Sequence, residues 1–245
     1  MTDETIVPDE PATTAPDTAT APDTATAPDT ATAPDTATAP DTGTVPDTAT
    51  APDGPPRPAD VVLDSLTRRM RAMHSLYDDA LSTMDADQVN HFEREGVLPI
   101  AFSLFHIATM VDASFMLMTG TPPIWDDAWE ARVRPAIADH GKHRTVAEMV
   151  NQRIGDYQAF QEYLQAVFHR TDDWLAGLDP AELTRLVIAR PFPPQVASTF
   201  SARVAGPDGI TLLDAAECWI YQHGLRHMGE IELARGLVGL GGMTS

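Results

Sequence analysis

Hydrophobic residues in the C-terminal three-quarters of the chain recur at three- and four-residue steps, the period of a helix with one buried face. Val61, Val62, Leu63, Leu66, Met70, Met73, Leu76, Tyr77 and Leu81 set this rhythm, with Arg68, Arg69, Arg71, Asp78 and Asp79 mostly between them. They predict a first helix from Pro58 to about Met84. From Val97 to Met118 the chain is apolar on every side, which marks either the buried member of a bundle or a membrane span. His106 and Asp112 near its middle, Pro99 near its start, the lack of basic flanks and the absence of a second such stretch favour the bundle. A third helix is predicted from Thr145, where Thr145 to Glu148 reads as a capping box, to about Leu178. Its apolar stripe includes Met149, Ile154, Tyr157, Phe160, Leu164, Val167 and Leu175. A second capping box, Thr211 to Asp214, opens a last helix through about Leu237, which a run of glycines then ends.

Between these lie two irregular stretches. Residues 119–141 carry turn signals and two tryptophans, Trp125 and Trp129, expected to cap one end of the bundle. Residues 179–210 predict a helical turn from Ala181 to Ile188 and extended structure from Val196 to Val204. Four long helices with irregular connections specify an all-α, four-helix bundle over residues 58–245.

The first 57 residues change the picture. Residues 1–56 hold eleven acids, eleven prolines, no Lys or Arg and nothing aromatic, and from Ala15 they repeat A-P-D-T-A-T with period six. The repeats offer only Ala and Val45 as apolar residues, too little to offset the entropy of ordering. A disordered, acidic, semi-extended tail is expected over 1–57, outside the bundle. The remaining 25 acids against all 16 bases leave the bundle acidic as well, and a chain of net charge −20 lacks the clustered cations that displace counterions from nucleic acid. Neither nucleic acid nor a membrane is expected as a partner. The N-terminus lacks the basic and apolar regions of a secretory signal, and a lone cysteine, Cys218, forms no internal disulfide, so cytoplasm is the expected location.

Candidate chemistry concentrates in the last helix. His223 and His227 are four residues apart, and Glu230 follows three later, so all three share one helix face. Two imidazoles stacked in this way can reach one divalent cation. His106, midway along the buried helix, is placed to supply a third ligand, because bundles build metal sites from facing helices. Three neutral imidazoles leave a coordination position open, the pattern of a catalytic centre. Zn, Ni or Fe would each suit such ligands. Glu230 is the candidate catalytic carboxylate, either orienting an imidazole or acting as a general base. Cys218, five residues before His223, turns away from the ligand face of an α-helix and reads as core, and Asp112 points elsewhere than His106 with no evident role. His91 and His169 read as solvated, His74 as able to face either way, and the His140 and His143 pair lies in a connection.

One His on the second helix, a capped entry at Gly209 to Leu212 and then H-x-x-x-H-x-x-E at His223, His227 and Glu230 resemble the DinB-like superfamily of metal-binding four-helix bundles, over roughly residues 58–240. The resemblance implies His106, His223 and His227 as a metal triad. It also implies an S-transferase or isomerase that uses mycothiol or a similar thiol as co-substrate with a second small-molecule substrate. The same family holds metal sites without known turnover and non-haem iron enzymes, so a stress-associated metal binder and a hydrolase or iron enzyme are the alternatives. Bundles of this family often form homodimers. Residues 120–135 and 190–205, with Trp125, Trp129, Arg190 and Phe192, are expected to shape the substrate pocket.

Overall fold

The computed structural model describes residues 57–243. The hexapeptide-repeat segment, and with it the expectation of disorder there, lies outside the described residues. Four long helices dominate, as expected: α1 (Pro58–Ser82), α2 (Ile100–Thr119), α3 (Tyr157–Gly177) and α4, which begins as Leu212–Ala215, passes through a π-helical segment at Ala216–Tyr221 and continues as Gln222–Leu237.

α1 and α4 begin where local chemistry predicts. Pro58 occupies the first turn of α1, where its missing N–H costs nothing, and Asp60 accepts the Arg57 backbone N–H at 3.0 Å. Its core face runs Leu66, Met70, Met73, Tyr77 and Leu81, whereas Val61 and Val62 precede the packed region and stay exposed. α2 is buried on most of its circumference and ends at Gly120, whose φ of 77° lets the chain turn left-handed. It is the one described helix long and apolar enough to cross a membrane, yet 78% of that window is buried within the structure. α4 starts at the Thr211–Asp214 box, where the Thr211 hydroxyl accepts the Asp214 N–H at 3.2 Å and Asp214 accepts the Thr211 N–H at 3.0 Å. α2 packs against α4, and α1 against α3.

The connections depart from expectation in three places. The Thr145 box opens only a one-turn helix, Val146–Met149, and the long helix waits for Asp156, which caps it by accepting the Ala159 N–H at 3.0 Å. The intervening residues are committed elsewhere. Ala136 N–H donates to the Arg153 carbonyl (2.9 Å), Gly155 N–H to the Arg134 carbonyl (3.1 Å), and the Gln152 amide spans both backbone groups of Ile137. Further on, a 3₁₀ turn (Pro180–Thr184) gives way to strand β1 (Leu186–Ala189), which pairs antiparallel with β2 (Gly209–Thr211), so the predicted helix through Ile188 is cut short. Gly209 is required there, because a Cβ would lie 2.2 Å from the Ile188 carbonyl oxygen. The stretch expected to be extended instead forms two short helices, Pro194–Ala197 and Phe200–Val204.

Asp112 has a defined structural role. Fully buried on α2, its carboxylate accepts the backbone N–H groups of Ile124 (2.9 Å) and Trp125 (2.8 Å), the Tyr163 hydroxyl (3.0 Å) and the Arg170 guanidinium (2.5 Å). Four donors satisfy a buried charge that would otherwise be prohibitive. They bind α2 to α3 and to the loop after α2, so that Trp125 packs on Phe105 and Tyr163. Asp112→Ala leaves these donors unpaired and is expected to destabilise the domain by about 3–5 kcal/mol, read as a lower midpoint in urea unfolding; a shift below about 1 kcal/mol would contradict this role.

Candidate metal centre

α2 contributes His106 and α4 contributes His223 and His227, and the three rings meet where the two helices pack. Ring centroids are 5.3 Å apart for His106 and His223, 4.8 Å for His106 and His227, and 4.6 Å for His223 and His227. One ligating atom from each ring lies within 4.8 Å of the other two.

The second nitrogen of two of the imidazoles, His106 and His227, is held by an oxygen. His106 donates Nδ1–H to the His140 carbonyl. His227 donates Nδ1–H to Glu230 Oε2 at 2.7 Å, and the same oxygen accepts the Ser103 hydroxyl at 3.0 Å. His223 turns its Nε2 toward the Nε2 of His227, 2.9 Å away. The oxygen partners of His106 and His227 fix the tautomer and leave Nε2 bare. Two bare nitrogens facing each other at that distance repel unless a cation lies between them, so the donor set fits a metal ion. Burial disfavours the imidazolium form, pushing His106 down to about 4 and His223 to about 3, and the neighbouring rings add to the shift at both. Both are therefore neutral, ligand-competent imidazoles at neutral pH. The hydrogen bond from His227 is the main cause that holds Glu230 below the usual carboxylate range.

Behind the ligands, α1 approaches α4 closely at Gly224. A Cβ there would sit 2.2 Å from the Met73 sulfur, and the Gly224 carbonyl accepts the Tyr77 hydroxyl at 2.8 Å. In front of them opens a cavity of about 590 Å³, a size suited to a small-molecule ligand. Its walls include Met110 and Leu117 from α2, Trp219 from α4, and Val196, Thr199 and Phe200 from the two short helices. Thus the 190–205 region does shape the pocket, but Trp125, Trp129, Arg190 and Phe192 do not line it. The 120–135 loop is held on the Tyr163 side by Asp112, and Arg190 turns over the Phe192 ring, 4.3 Å from its centroid.

Cys218 is buried, as expected, yet it lines the cavity. In a π-helical segment hydrogen bonds run from i to i+5, which brings residues five apart toward one face. Cys218 and His223 are so spaced, and an α-helical wheel drawn from the sequence misplaces the cysteine. Burial pushes its thiol up to about 11. Ser103 carries no metal-ligand signature of its own, but it lies three residues before His106 and so on the same face of α2. The His140 carbonyl, a backbone group, left no signal at all. The other histidines stay apart: His74 stacks on Phe168 beside Asp172, and His91 and His169 are exposed.

A family model described as the DinB superfamily matches residues 69–231, which include every residue of this centre. The chain belongs to the DinB superfamily. Among solved structures, this DinB chain resembles a conserved protein from Enterococcus faecalis with a TM-score of 0.58 and 17% identity, covering 72% of this chain and 96% of that one. That likeness supports the fold. No curated protein matches the chain in sequence.

The held nitrogens make a graded prediction. Glu230→Ala is expected to weaken metal affinity by about 10–100-fold and Ser103→Ala by less, because the second acts only through the first; competition with a chromophoric chelator measures both. Equal affinity in wild type and Glu230→Ala would remove the carboxylate from the centre.

Proposed function

We propose that this DinB-superfamily protein is a metal-dependent transferase that activates a low-molecular-weight thiol of the mycothiol type. One observation carries the reading: the three imidazoles face an open cavity of ligand size, with no fourth His, Cys, Asp or Glu grouped with them among the described residues. A storage or purely structural site would be closed by protein on all sides. A divalent ion bound there supplies the Lewis acidity that makes a thiol acidic at neutral pH.

The chain's own groups supply the rest. His106, His223 and His227 would hold the ion. Glu230 is engaged by both His227 and Ser103 and is a weakened base, so its role is to orient His227 and not to take the thiol proton. That proton leaves to water through the open mouth; the thiolate sulfur then bonds the electrophilic carbon while that carbon's leaving group, chloride in chlorodinitrobenzene, departs to water with the bonding pair. Met110, Val196 and Trp219 give the reacting pair an apolar wall that limits competing hydrolysis. Cys218, kept protonated by burial, does not compete as a nucleophile.

Elemental analysis of protein purified without added metal, followed by conjugation of mycothiol to chlorodinitrobenzene, tests the reading. About one equivalent of transition metal is expected, with a thiol-dependent rate that His106→Ala, His223→Ala or His227→Ala lowers at least about 100-fold together with the metal. Metal-dependent ester hydrolysis without thiol dependence would replace the transferase by a hydrolase. Protein that takes up no metal at neutral pH would end both readings.

A further inference from the structure

The charge lining the cavity runs against that of the chain. Residues 57–245 carry 25 acids and 16 bases, yet the cavity is lined by Lys142 and Arg226 against a single carboxylate, Glu230, which already accepts two hydrogen bonds. Eight of the fifteen arginines pair with acids among the described residues, Arg69, Arg132, Arg144 and Arg170 among them. Lys142 and Arg226 form no ion pair with a carboxylate among the described residues.

Their placement is fixed by the centre itself. Arg226 stands on α4 between His223 and His227. Lys142 follows Gly141, whose φ of 73° turns the loop, and the loop is held to α2 by the bond between His106 and the His140 carbonyl. A Cβ at Gly141 would meet the Phe102 ring at 2.7 Å, so the loop lies tight on α2 beside the ligand. The two cations thus reach one cavity from different elements, Arg226 from α4 and Lys142 from the loop docked on α2. Next to them the walls are apolar: Trp219, Val196, Phe200 and Leu117, the last two more than half exposed at 53% and 59%.

We propose that the cavity binds an electrophile with an apolar body and an anionic, carboxylate-class end, and that Lys142 and Arg226 hold that end. The assignment deepens the transferase reading and rests on it for the word electrophile; the anion subsite itself is a binding property. Arg226 offers a planar fork that matches a carboxylate, while Lys142 adds a mobile point charge. Because both side chains are solvent-exposed, the gain is modest and salt-sensitive.

Calorimetric titration of the full-length, metal-loaded protein with cinnamate and with its neutral isostere cinnamamide tests this directly. Cinnamate is expected to bind roughly 3–10-fold more tightly at low salt. Its advantage should shrink at high salt and vanish in the double variant Lys142→Gln/Arg226→Gln, whose metal content should match wild type. Equal affinity for the two probes, or no binding of either, would overturn the proposal. So would an acid preference that survives in the double variant but disappears when the metal is stripped, since the carboxylate would then sit on the ion. A preference that depends on Lys142 and Arg226 in protein without thiol conjugation would keep the anion subsite and sink the transferase; conjugation without the preference would do the reverse.

Discussion

An imidazole is fixed with Nε2 toward a shared centre when its Nδ1–H finds an acceptor elsewhere. In this protein that condition is met for two of the three imidazoles, from two different sources. His106 uses a carbonyl of the loop after the short helix Asp127–Val133, and His227 uses a carboxylate one turn ahead on its own helix. The centre therefore requires the loop to dock on α2, α4 to stay helical from His227 to Glu230, and α2 to lie close enough for Ser103 to steady Glu230.

Packing elsewhere serves these requirements. Asp112 binds α2, α3 and the loop after α2 into one unit, which fixes the helix that carries His106. Gly224 removes a side chain where Met73 presses on the ligand helix from behind. The absence of a Cβ there leaves α1 and α4 in contact directly behind the ligand pair. Burial keeps His106 and His223 unprotonated, so the core that stabilises the fold also prepares these two imidazoles.

The same arrangement leaves one side of the centre open. The β1–β2 pair and the two short helices between its strands wall a cavity in front of the three imidazoles. Chemistry at such a site is set by what the cavity admits: its walls are apolar, its unpaired charges are positive, and its one thiol is inert through burial.

Much of this was legible in the sequence because it depends on local periodicity. The four long helices follow from apolar spacing and from caps at Pro58 and Thr211. The pairing of His223, His227 and Glu230 follows from helical spacing, and His106 stood out as a histidine in an otherwise apolar helix. The capping box at Thr145 misled because local chemistry sets where a helix can start, while the backbone of 151–155 is claimed by the strand-like partner at 134–137. Cys218 departs from its α-helical expectation because a π-helical segment obeys a different period. Trp125 and Trp129 lie away from the cavity because Asp112, not aromatic content, decides where their loop docks. What the chain determines by itself, then, is what repeats every three or four residues: the helices, their buried faces and the two ligands on one of them. The third ligand's partner, the cavity wall and the two cations beside it depend on contacts between residues far apart in the chain, and only tertiary packing decides those.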